Sequence, residues 1–189
     1  MPYSHPDWFS IHIPVWEQKL AHLRDKYFRY LEIGSFEGRS LVWVLENFPK
    51  CEAVVFDTFE GNEEHAGYDM EEVLANYLHN IRPYKHRVET HIGDSCTQLA
   101  HLITQAREFD VIYVDGDHRA ESALTDAVMA WRVLSKGGIM IFDDYAWELG
   151  DGPRRAVDAF LSIFTPRVIH KERQVFLEKT SECTGKETR

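Results

Sequence analysis

Cysteine, positive charge and long apolar runs are all scarce in this chain, and each scarcity excludes something. The three cysteines, Cys51, Cys96 and Cys183, lie far apart and form neither a disulfide framework nor a metal-ligand spacing, so they read as small apolar fillers. Lys and Arg number 21 against 31 Asp and Glu, a formal net charge of -10. Affinity for a phosphate backbone rests on clustered cations, so a nucleic-acid partner is disfavoured and a small-molecule partner favoured. No apolar stretch approaches the roughly 20 residues that cross a bilayer, so no membrane partner is expected. The opening MPYSHPDWFS lacks the basic-then-apolar layout of a secretory signal, and the expectation is a cytoplasmic protein. The ten histidines, His5, His12, His22, His65 and His79 among them, form no i, i+4 pair beside a carboxylate, and most are expected at the surface. There is no internal repeat or low-complexity segment.

What is present is a rhythm. At 189 residues the chain suits one well-buried domain. Short β-branched runs, at 29–34, 52–57, 87–93, 109–115 and 138–144, alternate with stretches whose apolar residues recur at helical spacing. The clearest helix, 119–134, carries Ala120, Ala123, Leu124, Ala127, Val128, Trp131 and Leu134 on one stripe, with Gly137-Gly138 expected as its stop. A second is expected at 70–82 and a third at about 14–24. This is the pattern of a doubly wound α/β sheet with helices on both faces. RVIHKE and QVFLEK, near the C-terminus, are joined too closely to be parallel and must form an antiparallel pair. The organisation expected is an N-terminal cap segment over 1–28, the main domain over 29–179, and a disordered tail over 180–189. A homo-oligomer is left open.

In such sheets ligands sit beyond the carboxyl ends of the strands, which directs attention to LEIGSFEG, residues 31–38. A dinucleotide site wants a second glycine where backbone approaches a pyrophosphate. Here the triplet is Gly34, Ser35 and Phe36, with Glu32 and Glu37 adding negative charge, so a diphosphate is disfavoured. A nucleoside with a cationic amino-acid portion suits the same place. Asp57, 23 residues beyond Gly34, stands at the spacing of a carboxylate that accepts ribose hydroxyls, and Asp94-Ser95 follows the third strand, where it can meet the amine of an adenine. Together these features describe S-adenosylmethionine. Taken singly, Gly34 and Gly38 also fit a tight turn and close helix packing, and Asp57 a helix cap; their joint placement at one sheet edge favours a site.

YVDGDH (113–118) and IFDDY (141–145) put four acids and a histidine at the same end of adjacent strands. Asp115, Asp143 and Asp144 can converge on one divalent ion, and hard oxygen ligands suit Mg2+. Either late acid also fits as a plain cap.

From about residue 29 to 179 the chain resembles the class I S-adenosylmethionine-dependent methyltransferases. Within them it is similar to the small O-methyltransferase branch related to antibiotic-sugar and catechol enzymes. LEIGSFEG resembles the first motif of that family, VVFDTFEG the second, IGDS the third and VIYVDGDH the fourth. The resemblance implies a mostly parallel seven-stranded sheet of order 3-2-1-4-5-7-6 with the last strand antiparallel. It implies cofactor contacts from Glu32, Gly34, Ser35, Phe36, Gly38, Asp57, Thr58, Phe59, Asp94, Ser95, Asp115 and His118. It also puts catalytic roles on Asp115 and His118, with His118 as base, and metal-ligand roles on Asp115, Asp143 and Asp144. Where the catechol enzymes have Asp-Asn and the sugar enzymes Glu-Asp, this chain has Asp143-Asp144, a departure that bears on Asp143.

The function implied is methyl transfer to a hydroxyl of a small-molecule acceptor, with a nicotinamide oxidoreductase or a non-catalytic S-adenosylmethionine-binding protein as rivals. The aromatic N-terminal segment (Trp8, Phe9, Trp16) and residues 61–72, an acidic loop expected to be mobile, are expected to border the pocket, with Tyr145 and Trp147 as an apolar wall. The same aromatics also fit as a seal on the end of the sheet.

Overall fold

The computed structural model describes residues 3–62 and 65–180. The expected disordered tail lies outside these residues apart from Thr180, as do Glu63 and Glu64 of the acidic loop. Seven strands form one sheet: β1 Phe28–Ile33, β2 Cys51–Asp57, β3 Val88–Ile92, β4 Phe109–Val114, β5 Leu134–Phe142, β6 Arg167–Lys171 and β7 Val175–Glu178. Their order is β3-β2-β1-β4-β5-β7-β6. β7 runs antiparallel to both of its neighbours, and the pairs from β3 to β5 are parallel. The predicted order is the observed one.

Among the described residues, six α-helices cover the sheet: α1 Ile13–Leu20, α2 Arg39–Asn47, α3 Met70–Ile81, α4 Ser95–Thr104, α5 Ala120–Val133 and α6 Gly152–Ile163. Successive side chains of a strand point to opposite faces, so each central strand serves two cores. Tyr30, Val55, Val111 and Ile141 pack on one side with Leu41 and Leu45 of α2, Val73 and Tyr77 of α3, and Trp16 of α1. Leu31, Val54, Ile112 and Met140 pack on the other with Leu99 of α4, Trp131 of α5 and Phe160 of α6. Burial on both faces is why these strands read as continuous apolar runs.

Two boundaries differ from expectation. Gly137-Gly138 does not stop α5, which ends at Val133 and passes directly into β5. The glycines lie inside the strand at a register shift opposite Phe109 and Val111. A Cβ on Gly138 would stand 2.9 Å from the Asp110 carbonyl oxygen, so the irregularity requires a residue without one. The N-terminal helix is shorter than 14–24: α1 ends at Leu20 and its last turn tightens to a 3-10 turn, Ala21–Leu23.

The segment before β1 is integral to the core. Trp16 is fully buried and edge-on to Tyr113 at 4.9 Å, and its Nε1 donates to Gln174 Oε1 at 2.8 Å. Phe9 is buried against it at 5.1 Å. Further along, Glu37 is buried and accepts from Ser4 N at 3.0 Å and Asn76 Nδ2 at 2.8 Å, which ties the first residues to α3. Truncating Trp16 leaves both a cavity and an unmet acceptor on Gln174. Trp16→Ala should therefore lose about 3–5 kcal/mol in urea unfolding; a loss below about 1 kcal/mol would show that the segment merely rests on the sheet.

Candidate active site

The turns that follow the parallel strands are held side by side by hydrogen bonds that continue the ladder past the strand ends. Gly93 N donates to Asp57 O at 2.9 Å, Gly34 N to Phe56 O at 2.8 Å, Asp115 N to Ile33 O at 2.8 Å and Asp143 N to Val114 O at 3.0 Å. A very close approach lies between β1 and β4, where strand order reverses and a doubly wound sheet opens its crevice. A Cβ on Gly34 would stand 1.9 Å from the Asp115 carbonyl oxygen, and Gly34 has φ +82°. Only glycine meets both conditions.

The β1 turn is fixed from below and from in front. Below it, Glu32 is fully buried and accepts from Tyr30 Oη at 2.5 Å, Ser35 Oγ at 2.6 Å and Ser40 Oγ at 3.0 Å. Burial pushes the Glu32 carboxyl up to about 7, although the three hydroxyl donors pull the other way. In front, Asp57 Oδ2 accepts from Ser35 N at 2.7 Å and Phe36 N at 2.9 Å, and Oδ1 accepts from Phe59 N at 2.7 Å. The turn is thus a small anion-binding nest already filled by a carboxylate of its own chain. Phe36, Phe59 and Asp144 all carry positive φ, at 51°, 52° and 55°. Such backbone, unfavourable for side-chain-bearing residues, is tolerated where the surroundings over-determine it.

Across the switch point, one oxygen each of Asp115 and Asp144 and a ring nitrogen of His118 lie within 4.8 Å of one another. His118 Nε2 is 3.1 Å from Asp144 Oδ2 and 3.9 Å from Asp115 Oδ1. Burial alone would lower the imidazole pKa, but the hydrogen bonds and charges of Asp115 and Asp144 outweigh it and raise His118 to about 11. Burial and the Asp143 charge hold Asp115 well above the usual carboxylate range. Trp147 lies edge-on to the His118 ring at 4.9 Å. These groups and the β1 turn open onto one cavity of about 870 Å³, near the top of the range for ligand pockets of about 300–1,000 Å³.

A family model described as a methyltransferase domain matches residues 31–145. The chain belongs to that family. Among curated relatives of this methyltransferase domain, the mimivirus "Uncharacterized protein R132" is 25% identical over 141 residues, covering 72% of this chain and 60% of that one. The Aspergillus hancockii "O-methyltransferase hkm8" is 30% identical over 116 residues, covering 61% and 42%. The chain therefore spans about half the length of the curated relatives it matches. Among solved structures, MycE methyltransferase of the mycinamycin biosynthetic pathway, in complex with Mg, SAH and mycinamycin VI, superposes with TM-score 0.66 at 16% identity, covering 96% of this chain and 52% of that one. Apo CalS11, a TDP-rhamnose 3'-O-methyltransferase, gives 0.62 at 19% identity, covering 93% and 82%.

Of the residues singled out in the sequence, Gly34, Ser35, Phe36, Asp57 and Thr58 line the cavity of the methyltransferase domain, as do Asp94, Ser95, Asp115 and His118. Three others do not. Glu32 lies in the interior and acts on the turn through Ser35 and Ser40; Gly38 faces Tyr77, with a notional Cβ 3.1 Å from that ring; Phe59 is buried against Tyr77 at 5.0 Å. Asp143 also lines the cavity, but the three ligand atoms that lie within 4.8 Å of one another belong to Asp115, His118 and Asp144. Asp143 accepts from Tyr113 Oη, from Asp144 N at 2.8 Å and from Gln174 Nε2 at 3.1 Å. Of the expected wall, Trp147 lines the cavity while Tyr145 turns to Asp158 at 3.1 Å. Trp8 borders the cavity; Phe9 and Trp16 are core.

Several lining residues escaped the sequence reading. His12 and His65, given no role in the sequence, both line the cavity, and His12 Nε2 is 3.8 Å from Asp143 Oδ1. Asp126 is nearly buried on the packed side of α5. Its signal was available: an acid three residues after Ala123 and four before Ala130 sits on a face otherwise made of small apolar residues.

The buried Glu32 gives a pH-dependent test. Its folded value, about 7, lies above the ordinary 4.5, so the native state holds this proton more tightly than the unfolded chain. Its favourable contribution is complete below about pH 4.5 and is lost as pH rises through about 7. Over that window wild type should lose on the order of 3 kcal/mol relative to Glu32→Gln in urea unfolding. A difference independent of pH would mean that Glu32 is not the neutral-leaning acid described.

Proposed function

We propose that this chain moves the methyl group of S-adenosylmethionine to a hydroxyl of a small molecule, assisted by a divalent metal such as Mg2+. The observation that carries the proposal is the meeting of two features at one cavity: a β1 turn whose amides are already closed on Asp57, and a carboxylate pair bridged by His118 beside it. A diphosphate would have to displace the Asp57 carboxylate, whereas an uncharged ribose can share it, since a carboxylate offers about four acceptor positions. Asp57 would therefore accept ribose hydroxyls, and Gly34 would leave backbone open to the rest of the nucleoside. The family match and the bound groups named for MycE support the same reading. The net charge of -10 supports a small acceptor over a nucleic acid.

S-adenosylmethionine, when bound, supplies a methyl group on a positively charged sulfur. Asp115 and Asp144 would hold a divalent cation, which supplies Lewis acidity to the acceptor hydroxyl. While those acids carry uncompensated charge, His118 stays protonated. With that charge balanced, the imidazole returns toward its ordinary range and Nε2 becomes a base for the hydroxyl proton. Asp143, fixed by Tyr113 and Gln174, holds the backbone of Asp144 through its amide. Phe36 and Trp147 border the cavity with apolar surface and limit water. Positioning of acceptor and methyl group then accounts for much of the rate.

MgCl2 should raise the melting temperature of wild type and leave Asp144→Asn nearly unmoved; equal shifts would remove the metal from the proposal. Labelled methyl transfer from S-adenosylmethionine into a small-molecule extract should fall roughly a hundredfold or more in His118→Ala. Cofactor binding by wild type without transfer to any extract would point instead to a non-catalytic binding protein.

A further inference from the structure

Asp126 is 3% exposed, yet it lines the cavity. It sits between the N-terminus of α4 and the turn after β4. Its Oδ1 accepts from Ser95 Oγ at 2.6 Å. Its Oδ2 faces Gly116, where a notional Cβ would stand 3.4 Å away, and no residue among those described donates a hydrogen bond to it. Facing the cavity without a donor from the protein, that oxygen is open to an N–H from a ligand. Asp94, the acid that the sequence suggested for this task, is committed elsewhere. Its Oδ1 accepts from Cys96 N at 3.0 Å and its Oδ2 from Thr97 N at 3.1 Å, so it caps α4.

The position along the cavity says which part of a ligand arrives there. The Asp115–His118–Asp144 group marks the reacting end, and Asp57 suits the hydroxyls of a sugar. On the far side of Asp57 from that group, where β3 lies beyond β2, the lining includes the stretch Gly93–Cys96 with Thr125 and Asp126, and this part suits the base. Resting on the function proposed above, we propose that Asp126, oriented by Ser95, recognises the base of the bound nucleoside by accepting a hydrogen bond from the exocyclic amine of adenine. Burial, working against the Ser95 hydrogen bond, pushes the Asp126 carboxyl only up to about 6, so it is an ionised acceptor at neutral pH. An oxo group at the same position of the purine would set oxygen against oxygen and leave Asp126 unmet.

The test is calorimetric titration at pH 7.5 with S-adenosylhomocysteine and with its inosine analogue, in which an oxo group replaces the amine. Wild type should favour the adenosyl compound by about tenfold or more, the discrimination expected of a hydrogen bond to a charged acceptor. Asp126→Asn should erase or reverse that preference, because the amide can turn its NH2 toward the oxo group. Asp94→Asn, which keeps an oxygen to cap α4, should keep the ratio. Ser95→Ala, which frees Oδ1 without touching the acid, should narrow the ratio severalfold and decides the matter if Asp126→Asn does not fold. A ratio unchanged in Asp126→Asn, or in Ser95→Ala where that variant decides, overturns the assignment, as does a ratio lost in Asp94→Asn alone. Failure of wild type to bind either nucleoside would instead sink the cofactor proposal, and this assignment with it.

Discussion

The geometry of the site depends on one turn being held from two sides by carboxylates of its own chain. Glu32, buried beneath it, accepts three hydroxyl hydrogen bonds; Asp57, in front, accepts the amides of Ser35 and Phe36. Left to itself, a turn with Phe36 at positive φ would relax, and its amides would bind whatever anion was at hand. Held in this way, it is rigid and offers a ligand no vacant anion hole. Gly34 then brings the β1 turn against the Asp115 carbonyl, and the two halves of the sheet meet at a distance that no side chain could fill.

The acids of the site are sorted by their hydrogen bonds, although all but Asp126 of α5 follow strand ends. Asp94 is used up in capping α4 and Asp143 in binding Tyr113, Gln174 and its own neighbour's amide. Asp115 and Asp144 have His118 between them. Asp126 keeps one oxygen for the cavity. Burial, with the charges of neighbouring carboxylates added to it, raises Asp115 and Asp143 above the usual range, while the hydrogen bonds and charges of Asp115 and Asp144 hold His118 as a cation.

The N-terminal segment joins this arrangement from outside the sheet. Trp16 reaches Gln174, and Gln174 reaches Asp143, so a residue ahead of β1 bears on the end of β5 through two side chains. Its aromatics divide between tasks: Phe9 and Trp16 fill the core, and Trp8, about half exposed, is left at the cavity rim. Nothing in their spacing distinguishes the two uses, because a helix start and the loop before it show no period until the partner surface is known.

The amino-acid sequence by itself determined the layered α/β architecture, the succession of strands and the group of residues at their carboxyl ends. These follow from local periodicity and from the rule that parallel strands need crossovers, both of which are written along one dimension. It carried Gly34, Asp57, Asp115 and His118 to the cavity, since strand-end residues have little freedom in where they go. Tertiary structure alone decided that Glu32 supports the turn from the interior, that Asp143 faces Tyr113, that Gly137-Gly138 forms a bulge, and that His12 and Asp126 reach the site. For the carboxylates, the outcome turns on which of several hydrogen-bond donors lies within about 3 Å of a given oxygen, and those donors come from points as far apart in the chain as Ser35, Ser95 and Gln174.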